Sequence, residues 1–290
     1  MNFALFKFTL DTLNGLGLAK YRLVKPLQRV APKKWPEKVV SRRGVRWKLW
    51  NSTDHVSRAL MYYGVYEPAS TAILPRFVKE GDYCLDIGAN AGYFSVQMGK
   101  LIGPKGKIMG FEPSPDFYER LQTHLELNQV ADRVNTIRAG LSNEPGTLTL
   151  VQAGCNASFY QGALVTDSDA NAKLPRHESP ILVLDEYWKE ELNWDRLDFV
   201  KLDVEGFEAN VLAGGQQVFS THKPTFLIEY NKELYDNIGD SFDHVLNHLE
   251  GWGYNAFWLD DKPNQQMTLA QLRKSLETAP FCNIICSHTS

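Results

Sequence analysis

From Lys79 onwards, short apolar runs alternate with segments in which apolar residues recur every three or four positions. The first pattern is typical of buried strands, and the second of helices with one buried face. Strands are predicted over 83–88, 107–112, 133–141, 147–152, 181–184, the start of 198–208, 225–230, 254–259 and 281–286, and helices over 92–102, 114–128, 208–219 and 241–251. This alternation predicts an α/β fold, a doubly wound and mostly parallel sheet with helices on both faces.

The N-terminal part of the chain follows a different pattern. Residues 2–24 place apolar side chains at helical spacing, 26–53 are rich in Pro, Lys and Arg, and 54–78 are predicted as one helix. We therefore predict a basic N-terminal extension over 1–70, helical and irregular, followed by the α/β domain over 71–290. The first helix could lie on a membrane surface or dock on its own domain.

Charge is unevenly distributed along the chain. The net charge is −3, but residues 1–50 carry +10 and the remainder carries −13. A basic arm could contact phosphate, an acidic substrate or an anionic membrane, or it could be solvated charge on a packed extension. No apolar run approaches ~20 residues, so no membrane-spanning helix is predicted, and residues 1–18 lack the basic start of a signal peptide. We predict a cytoplasmic protein whose arm could contact a membrane peripherally.

The spacing of cysteine and histidine indicates no metal or redox site. Three of the four cysteines, Cys84, Cys282 and Cys286, lie in predicted strands, and we predict that they are small buried hydrophobic residues in a reducing compartment. The seven histidines show no H-x-E or HExxH spacing, so no zinc site is predicted.

The stretch 83–95 reads YCLDIGANAGYFS. A short apolar run ending at Asp86 is followed by Gly88, Asn90 and Gly92, and then by residues that can begin a helix. A nucleotide-binding α/β unit opens in this way. Glycine permits positive φ and close approach of a ligand to the backbone, and Asn tolerates the left-handed conformation better than most residues.

Glu112 ends the next predicted strand, 24 residues past Gly88. This position is near the ~20-residue offset of an acid that binds ribose hydroxyls. The alternative for Glu112, as for Asp86, is that it caps a loop or a helix.

A second acidic stretch lies at 198–208. Its apolar strand ends at Asp203, which Glu205 and Glu208 follow, and the next strand ends at Glu229. Lys201 and Asp203 lie two apart on one strand face and could form a buried ion pair. Glu205 and Glu208 could alternatively stabilise the N-terminus of the following helix.

The motifs in these stretches resemble the class I S-adenosylmethionine-dependent methyltransferases and, more narrowly, the FkbM family. The resemblance covers roughly residues 76–230 and rests on DIGANAGYFS, FEPSP, LSN, LDE, KLDVEGFEANVLAGG and PTFLIE, in that order. It implies a seven-stranded sheet in the order 3-2-1-4-5-7-6 with the last strand antiparallel. Strands 1 and 4 are then neighbours at the switch point, where ligands bind.

The resemblance implies that S-adenosyl-L-methionine is the cofactor. The residues expected to bind it are Asp86, Gly88, Ala89, Asn90, Gly92, Glu112, Leu141 and Ser142. Asp86 and the glycine stretch would hold the methionine end, where backbone N–H groups suit a carboxylate. Glu112 would accept hydrogen bonds from both ribose hydroxyls. Leu141 and Ser142 would flank the adenine, although Ser142 could be an ordinary turn residue.

The acidic strand ends would act on the methyl acceptor, because an alcohol nucleophile needs a proton acceptor within hydrogen-bond reach. We predict catalytic roles for Asp203, Glu205 and Glu229, and substrate binding by Asn156, Ser158 and Lys201. Asn156 and Ser158 lie in a polar segment over 153–180, and such long loops are usually functional or disordered. No metal is predicted, although a divalent ion held by the three catalytic acids is an alternative.

The predicted activity is O-methylation of a hydroxyl on a sugar, a glycan, a lipid-linked sugar or another small-molecule natural product. One alternative is a nicotinamide-dependent oxidoreductase, which Asn90 disfavours because it breaks G-x-G-x-x-G. Another is a binding protein that kept the fold and lost the activity. Nucleic acid is not expected as a partner, because the body is acidic and carries no RNA-binding signature.

Overall fold

The structure is a computed structural model and describes residues 36–50, 54–153, 156–159 and 176–288. The strands in these ranges are β1 (Lys38–Arg42), β2 (Val45–Leu49), β3 (Tyr83–Ile87), β4 (Lys107–Phe111), β5 (Val134–Ile137), β6 (Gly140–Leu141), β7 (Gly146–Ala153), β8 (Asn156–Phe159), β9 (Arg176–Leu182), β10 (Phe199–Leu202), β11 (Thr225–Asn231), β12 (Ala256–Leu259) and β13 (Phe281–Ser287). The helices are α1 (His55–Tyr62), α2 (Pro68–Phe77), α3 (Tyr93–Leu101), α4 (Pro115–Leu127), α5 (Leu184–Tyr187), α6 (Glu208–Gly214), α7 (Gln216–His222), α8 (Lys232–Ile238), α9 (Asp243–Gly251) and α10 (Leu269–Leu276). The predicted helix over 2–24 and most of the polar segment 153–180 lie outside the described residues.

Seven of the described strands form a central sheet in the order β5-β4-β3-β10-β11-β13-β12. The first five are parallel, and β13 is antiparallel to β11 and β12. Numbered along the chain, this order is 3-2-1-4-5-7-6, so the predicted fold class and strand order are confirmed. Asp86 on β3 pairs in register with Lys201 on β10, and the two carboxyl ends therefore open at one edge of the sheet.

Helices cover both faces of this sheet, because successive residues of a strand point to opposite sides. One buried cluster contains Cys84, Phe199, Leu227 and Ile285. The cluster on the other face contains the neighbouring residues Leu85, Val200, Phe226 and Ile284. Because both faces of the sheet are buried, each strand appears in the sequence as a continuous apolar run, which is typical of a buried parallel sheet.

The N-terminal part of the described chain packs on the first of these faces. β1 and β2 form an antiparallel hairpin, and Trp47 and Leu60 are buried in the first cluster. The prediction of one helix over 54–78 is wrong, because α1 and α2 are separate helices. Gly64 and Glu67 adopt positive φ between them, and Pro68 occupies the first turn of α2, where the missing N–H of proline is tolerated.

A second sheet of four strands, in the order β6-β9-β7-β8, was not predicted. The predicted strand 133–141 is two strands, of which β5 stays in the central sheet and β6 pairs with β9. The predicted strand 181–184 ends too late, because Leu182 ends β9 and Leu184 begins α5. These pairings join distant parts of the chain, and a local apolar pattern cannot specify them.

The prediction of one helix over 208–219 is also wrong. The chain leaves the helical conformation at Gly215, where φ is −111°, and α6 and α7 lie on either side. The short helices α8 and α10 were not predicted. Cys84, Cys282 and Cys286 are buried free thiols, as predicted. No helix in the described part of the chain is long and apolar enough to cross a bilayer.

Candidate active site

A cavity of about 270 Å³ lies at the carboxyl ends of the central strands. One part of its wall, which we call the loop half, includes Gly88, Ala89, Asn90, Ala91, Phe111, Glu112 and Leu141. The opposite part, which we call the acid half, includes His55, Tyr66, Asp203, Glu205, Glu229, Asn231 and Phe281. The two halves share one cavity because β3 and β10 are adjacent strands.

The loop half owes its shape to left-handed backbone. Gly88, Asn90 and Gly92 have φ of 83°, 49° and 81°. A Cβ atom at Gly88 would collide with the backbone oxygen of Asp203, and one at Gly92 would lie 2.5 Å from a side-chain carbon of Leu121. Glycine is therefore required at both positions, because the loop packs directly against β10 and α4.

The N–H groups of this loop donate within the protein. Gly88 and Ala89 both donate to the backbone oxygen of Phe111 at 3.0 Å, and Ala91 donates to Oδ1 of Asn90 at 2.7 Å. Gly92 donates to the backbone oxygen of Ala89 at 2.8 Å. The loop therefore offers a ligand a close approach to a rigid backbone.

Glu112 connects the loop to the next strand. One of its carboxylate oxygens accepts from the N–H of Asn90 at 2.7 Å, and the other accepts from the N–H of Ser114 at 2.8 Å. Burial raises the pKa of Glu112 to about 7. Two bonds leave further lone pairs, since a carboxylate has about four acceptor sites. Glu112 thus caps the loop and can also accept from hydroxyls of a ligand in the cavity.

Four of the predicted site residues lie behind the wall of the cavity rather than on it: Asp86, Gly92, Ser142 and Lys201. Asp86 is buried near the end of β3 and accepts a hydrogen bond from the hydroxyl of Ser95 on α3. Burial raises the pKa of Asp86 to about 6. Any contribution of Asp86 to ligand binding would therefore be indirect, through the strand and the helix that its hydrogen bond connects.

Two other predicted residues, Asn156 and Ser158, lie on β8, where they pair with Ala153 and Val151 of β7. Their side chains fall outside the described part of the structure. Their predicted role in binding the acceptor stays a prediction.

Lys201 and Asp203 form an ion pair in the acid half, which is the arrangement that their spacing on one strand face had suggested. Nζ of Lys201 lies 3.0 Å from Oδ2 of Asp203, and the two side chains are 1% and 22% exposed. Burial alone would lower the pKa of Lys201, but the charges of Asp203, Glu67 and Glu229 outweigh burial and hold it above its usual range. Lys201 is therefore the central cation among three carboxyl groups.

Carboxyl oxygens of Glu67, Asp203 and Glu229 lie within 4.8 Å of one another, a spacing that could hold a metal ion. Glu67, rather than the expected Glu205, is the third member of this group. The ammonium of Lys201 already supplies positive charge beside Asp203.

The other acids of this half retain protons more readily than usual. Burial, together with the charges of Asp203 and Glu208, raises the pKa of Glu205 to about 8. Burial and Asp203 also raise the pKa of Glu229 well above its usual range. Glu205 therefore carries a proton for much of the time at neutral pH, and a protonated carboxyl group can donate a hydrogen bond as well as accept one.

Glu208 and Glu205 differ in role although they lie three residues apart. The carboxylate of Glu208 accepts from the N–H groups of Val204 at 3.1 Å and Gly206 at 3.3 Å, and from the hydroxyl of Tyr235. Glu208 lies in the first turn of α6, where the alternative interpretation expected it to stabilise the helix N-terminus, and its hydrogen bonds are made to the turn that leads into the helix. Glu205, with φ of 54°, lines the cavity instead.

Several wall residues had not been singled out from the sequence, among them His55, Tyr66, Asn231 and Phe281, and neither had Glu67, which belongs to the carboxyl cluster. Tyr66 and Glu67 connect α1 to α2 and carry no recognisable motif. Burial, followed by the charge of Glu67, raises the pKa of Tyr66 well above its usual range. Its hydroxyl therefore keeps its proton, donates it to the carboxyl group of Glu67, and can still accept a hydrogen bond from a ligand. The available signal was that Asn231 directly follows the predicted strand 225–230 and that Phe281 begins the predicted strand 281–286.

Comparison with known proteins finds relatives that are methyltransferases by name. The chain is 33% identical over 162 residues to Methyltransferase sdnD of Sordaria araneosa, covering 46% of this chain and 60% of that protein. It is 24% identical over 192 residues to the 2-O-methyltransferase NoeI of Sinorhizobium fredii, covering 60% of this chain and 75% of that protein. A fibrillarin-like rRNA/tRNA 2'-O-methyltransferase of Aeropyrum pernix is 33% identical over 109 residues, covering 38% of this chain and 41% of that protein. The chain thus spans about three fifths of sdnD.

The match to a family model covers more of this chain than the matches to sdnD and to the fibrillarin-like protein do, and about as much as the match to NoeI. The Methyltransferase FkbM domain matches residues 86–256, more than half of the chain. This range begins at Asp86 and includes the loop half, Glu112 and the acidic ends of β10 and β11. The chain belongs to the FkbM methyltransferase family.

Proposed function

We propose that the protein transfers a methyl group from S-adenosyl-L-methionine to a hydroxyl oxygen of a small acceptor. The main observation that supports this proposal is that the loop half and the acid half line the same cavity. A methyl transfer to oxygen needs a pocket that orients the donor and a proton acceptor beside the nucleophile. The membership of the FkbM family supports the same activity.

The residues of the cavity fit this cofactor by shape and by hydrogen bonding. Bound S-adenosyl-L-methionine would supply an electrophilic methyl group on a cationic sulfonium. Glu112 keeps acceptor capacity for ribose hydroxyls. Gly88, Ala89, Asn90 and Leu141 would shape the surface against which the cofactor lies.

The proton of the acceptor hydroxyl would pass to a carboxylate of the acid half. We assign this role to Asp203, because Lys201 holds its Oδ2 at 3.0 Å and fixes the carboxylate at the end of β10. Glu205, whose pKa is about 8, would be largely protonated at neutral pH and would orient the acceptor through a hydrogen bond. Glu229 would contribute from the next strand.

The acceptor class that fits best is a neutral hydroxyl compound, such as a sugar, a glycan or another natural product. The carboxyl groups of the acid half match hydroxyl donors, whereas an anionic acceptor would meet like charge. This argument disfavours nucleic acid, although one relative is an rRNA/tRNA 2'-O-methyltransferase by name. The name of NoeI, a 2-O-methyltransferase, agrees with transfer to oxygen.

The first test is calorimetry of the protein with S-adenosyl-L-methionine, S-adenosylhomocysteine and NAD. We expect the first two to bind and NAD not to bind. The second test is incubation with methyl-labelled cofactor and a panel of methyl glycosides, lipid-linked sugars, hydroxylated polyketides and RNA. Label should appear on a neutral hydroxyl compound. Binding of NAD alone, or transfer to RNA alone, would overturn the proposal.

A further inference from the structure

The rim of the acid half is formed by the end of β11 and the start of β13. In their antiparallel register Glu229 pairs with Asn283, and Asn231 pairs with Phe281. Residues two apart on a strand, and directly paired residues on neighbouring strands, share one face of the sheet. The four side chains therefore form one patch, which we call the rim patch. Phe281 and Asn283 lie outside the range of the family match, 86–256.

Phe281 is the exposed apolar component of the rim patch. Its side chain is 49% exposed and lines the cavity. Among the described residues the other exposed large hydrophobic side chain is Val39, on β1 and away from the cavity. An exposed aromatic ring in the wall of a cavity presents a flat apolar face to whatever binds there.

Asn231 is the fixed polar component of the rim patch. Its Oδ1 accepts from the N–H of Leu234 at 3.3 Å and caps α8. Because a backbone N–H requires an acceptor, this contact identifies the oxygen of the amide and leaves the NH2 group as the donor for a ligand. Asn231 also lines the cavity, next to Glu229.

Asn283 anchors the base of the rim patch. It is 2% exposed, and its Nδ2 donates to Glu67 at 3.0 Å and to Ser70 at 2.9 Å. Through these bonds β13 is tied to the start of α2, so the strand that carries Phe281 is held in place beside the cavity.

We propose that the rim patch is an acceptor subsite that binds a second, neutral polyhydroxylated ring, next to the ring that is methylated. This inference rests on the proposed function. The apolar face of such a ring would lie on Phe281, while its hydroxyls would accept from the NH2 of Asn231 and donate to Glu229. A purely apolar chain would leave Asn231 and Glu229 without partners. A phosphate would meet the carboxyl groups of the acid half.

The test compares acceptors of one and two rings in the full-length protein. Saturation-transfer NMR, with S-adenosylhomocysteine present, would measure the affinities of a panel of methyl glycosides and the matching disaccharide glycosides. We expect Phe281→Ala to weaken disaccharide binding ~10-fold and to change monosaccharide binding less than about twofold. Phe281→Trp should retain disaccharide binding, and the control Val39→Ala should resemble the wild-type protein.

A second variant tests the polar component separately. Asn231→Asp keeps an acceptor for the N–H of Leu234, so the cap of α8 survives, but it removes the NH2 donor. We expect disaccharide binding to fall about 10-fold or more, because a donor is lost and a charge is gained. Affinity for S-adenosylhomocysteine should stay unchanged in all four variants.

Equal affinity of mono- and disaccharides in the wild-type protein would overturn the subsite, as would equal losses for both in Phe281→Ala. Binding of alkyl chains in place of sugars, or no glycoside binding at all, would also overturn it. These outcomes differ from failure of the proposed function, which is the absence of methyl transfer to any hydroxyl while the cofactor binds. Methyl transfer that is unaffected by Phe281→Ala would remove only the subsite.

Discussion

The two halves of the cavity are built in different ways. Most of the loop half is contiguous backbone from Gly88 to Ala91, which contains left-handed residues and is hydrogen-bonded to Phe111 and to the carboxylate of Glu112. The acid half is made of side chains from separate stretches, such as Tyr66, Asp203 and Phe281. The loop half thus provides a rigid surface, and the acid half brings several ionisable groups close together.

This difference separates two tasks of methyl transfer. A rigid backbone surface suits a cofactor whose reacting group must be aligned with the acceptor. A cluster of carboxyl groups with raised pKa values suits the handling of a proton. Substitutions in the loop half should therefore alter the affinity for the cofactor while turnover stays nearly constant. Substitutions in the acid half should alter turnover while the affinity stays nearly constant.

The largest expected effect comes from Asp203→Asn in the acid half. The amide keeps the size of the side chain and an acceptor for Lys201 but loses basicity, so turnover should fall ~100-fold or more. The affinity for S-adenosyl-L-methionine, measured by calorimetry, should stay within about threefold of wild type. The matched control is Asp236→Asn, because Asp236 is 63% exposed and pairs with Lys232 at the surface. Wild-type turnover in Asp203→Asn would show that Asp203 is not the proton acceptor, and Glu229 would become the next candidate.

Glu112→Ala should produce the converse result in the loop half. It removes the acceptors for two ribose hydroxyls, each bond being worth ~1.5–3 kcal/mol, so affinity for S-adenosyl-L-methionine should fall at least ~10-fold. Turnover at saturating cofactor should stay close to wild type. The exposed Glu119, on α4, provides the control Glu119→Ala.

The Glu112→Ala variant also loses the acceptor for the N–H groups of Asn90 and Ser114. Calorimetry should therefore be performed well below its melting temperature, as measured by circular dichroism. Unchanged affinity in a folded Glu112→Ala protein would place the ribose site elsewhere.

The same contrast explains which parts of the site could be predicted from the sequence. The positions of Gly88, Asn90, Gly92 and Glu112 could be predicted, because local turn geometry and strand length fix their spacing. The strand order followed from the family resemblance, while the second sheet depends on long-range pairings such as that of β6 with β9, which no local pattern reveals.

The complete acid half and the residues that support it could not be predicted, because they come from distant parts of the chain. Glu67 and Asn283 are bonded partners 216 residues apart. Asp203 and Glu229 were recognised because they end strands in the centre of the sheet. Glu67 lay within a segment predicted as continuous helix, and nothing in its surroundings distinguished it.

A smaller effect is expected for the pH dependence of stability, with Glu205→Gln as the probe. The pKa of Glu205 is raised by burial and by neighbouring acids from 4.5 to about 8. Its contribution to the free energy of unfolding is therefore fully present below about pH 4.5 and is lost as the pH rises through about 8. The Gln variant does not undergo this loss.

We therefore expect the melting temperature of Glu205→Gln, relative to wild type, to rise by several degrees between about pH 5 and pH 9. Differential scanning calorimetry of the ligand-free proteins measures this difference. Glu119→Gln, on the exposed face of α4, should show no such trend. A constant difference across the range would mean that Glu205 titrates as an ordinary surface acid.

The smallest expected effect concerns the left-handed residue that each half contains, Asn90 with φ of 49° and Glu205 with φ of 54°. Asn tolerates this conformation, and Oδ1 of Asn90 accepts from the N–H of Ala91, so Asn90→Gly should leave the free energy of unfolding unchanged or slightly lower. Glu has no such tolerance. Glu205→Gly should therefore be more stable than Glu205→Gln by about 0.5–1 kcal/mol, after the entropic cost of glycine is subtracted. Denaturant unfolding of the three variants measures both effects. If Asn90→Gly raised the free energy of unfolding as much as Glu205→Gly does relative to Glu205→Gln, both halves would store the same backbone strain. The loop half would then differ from the acid half in its side chains alone.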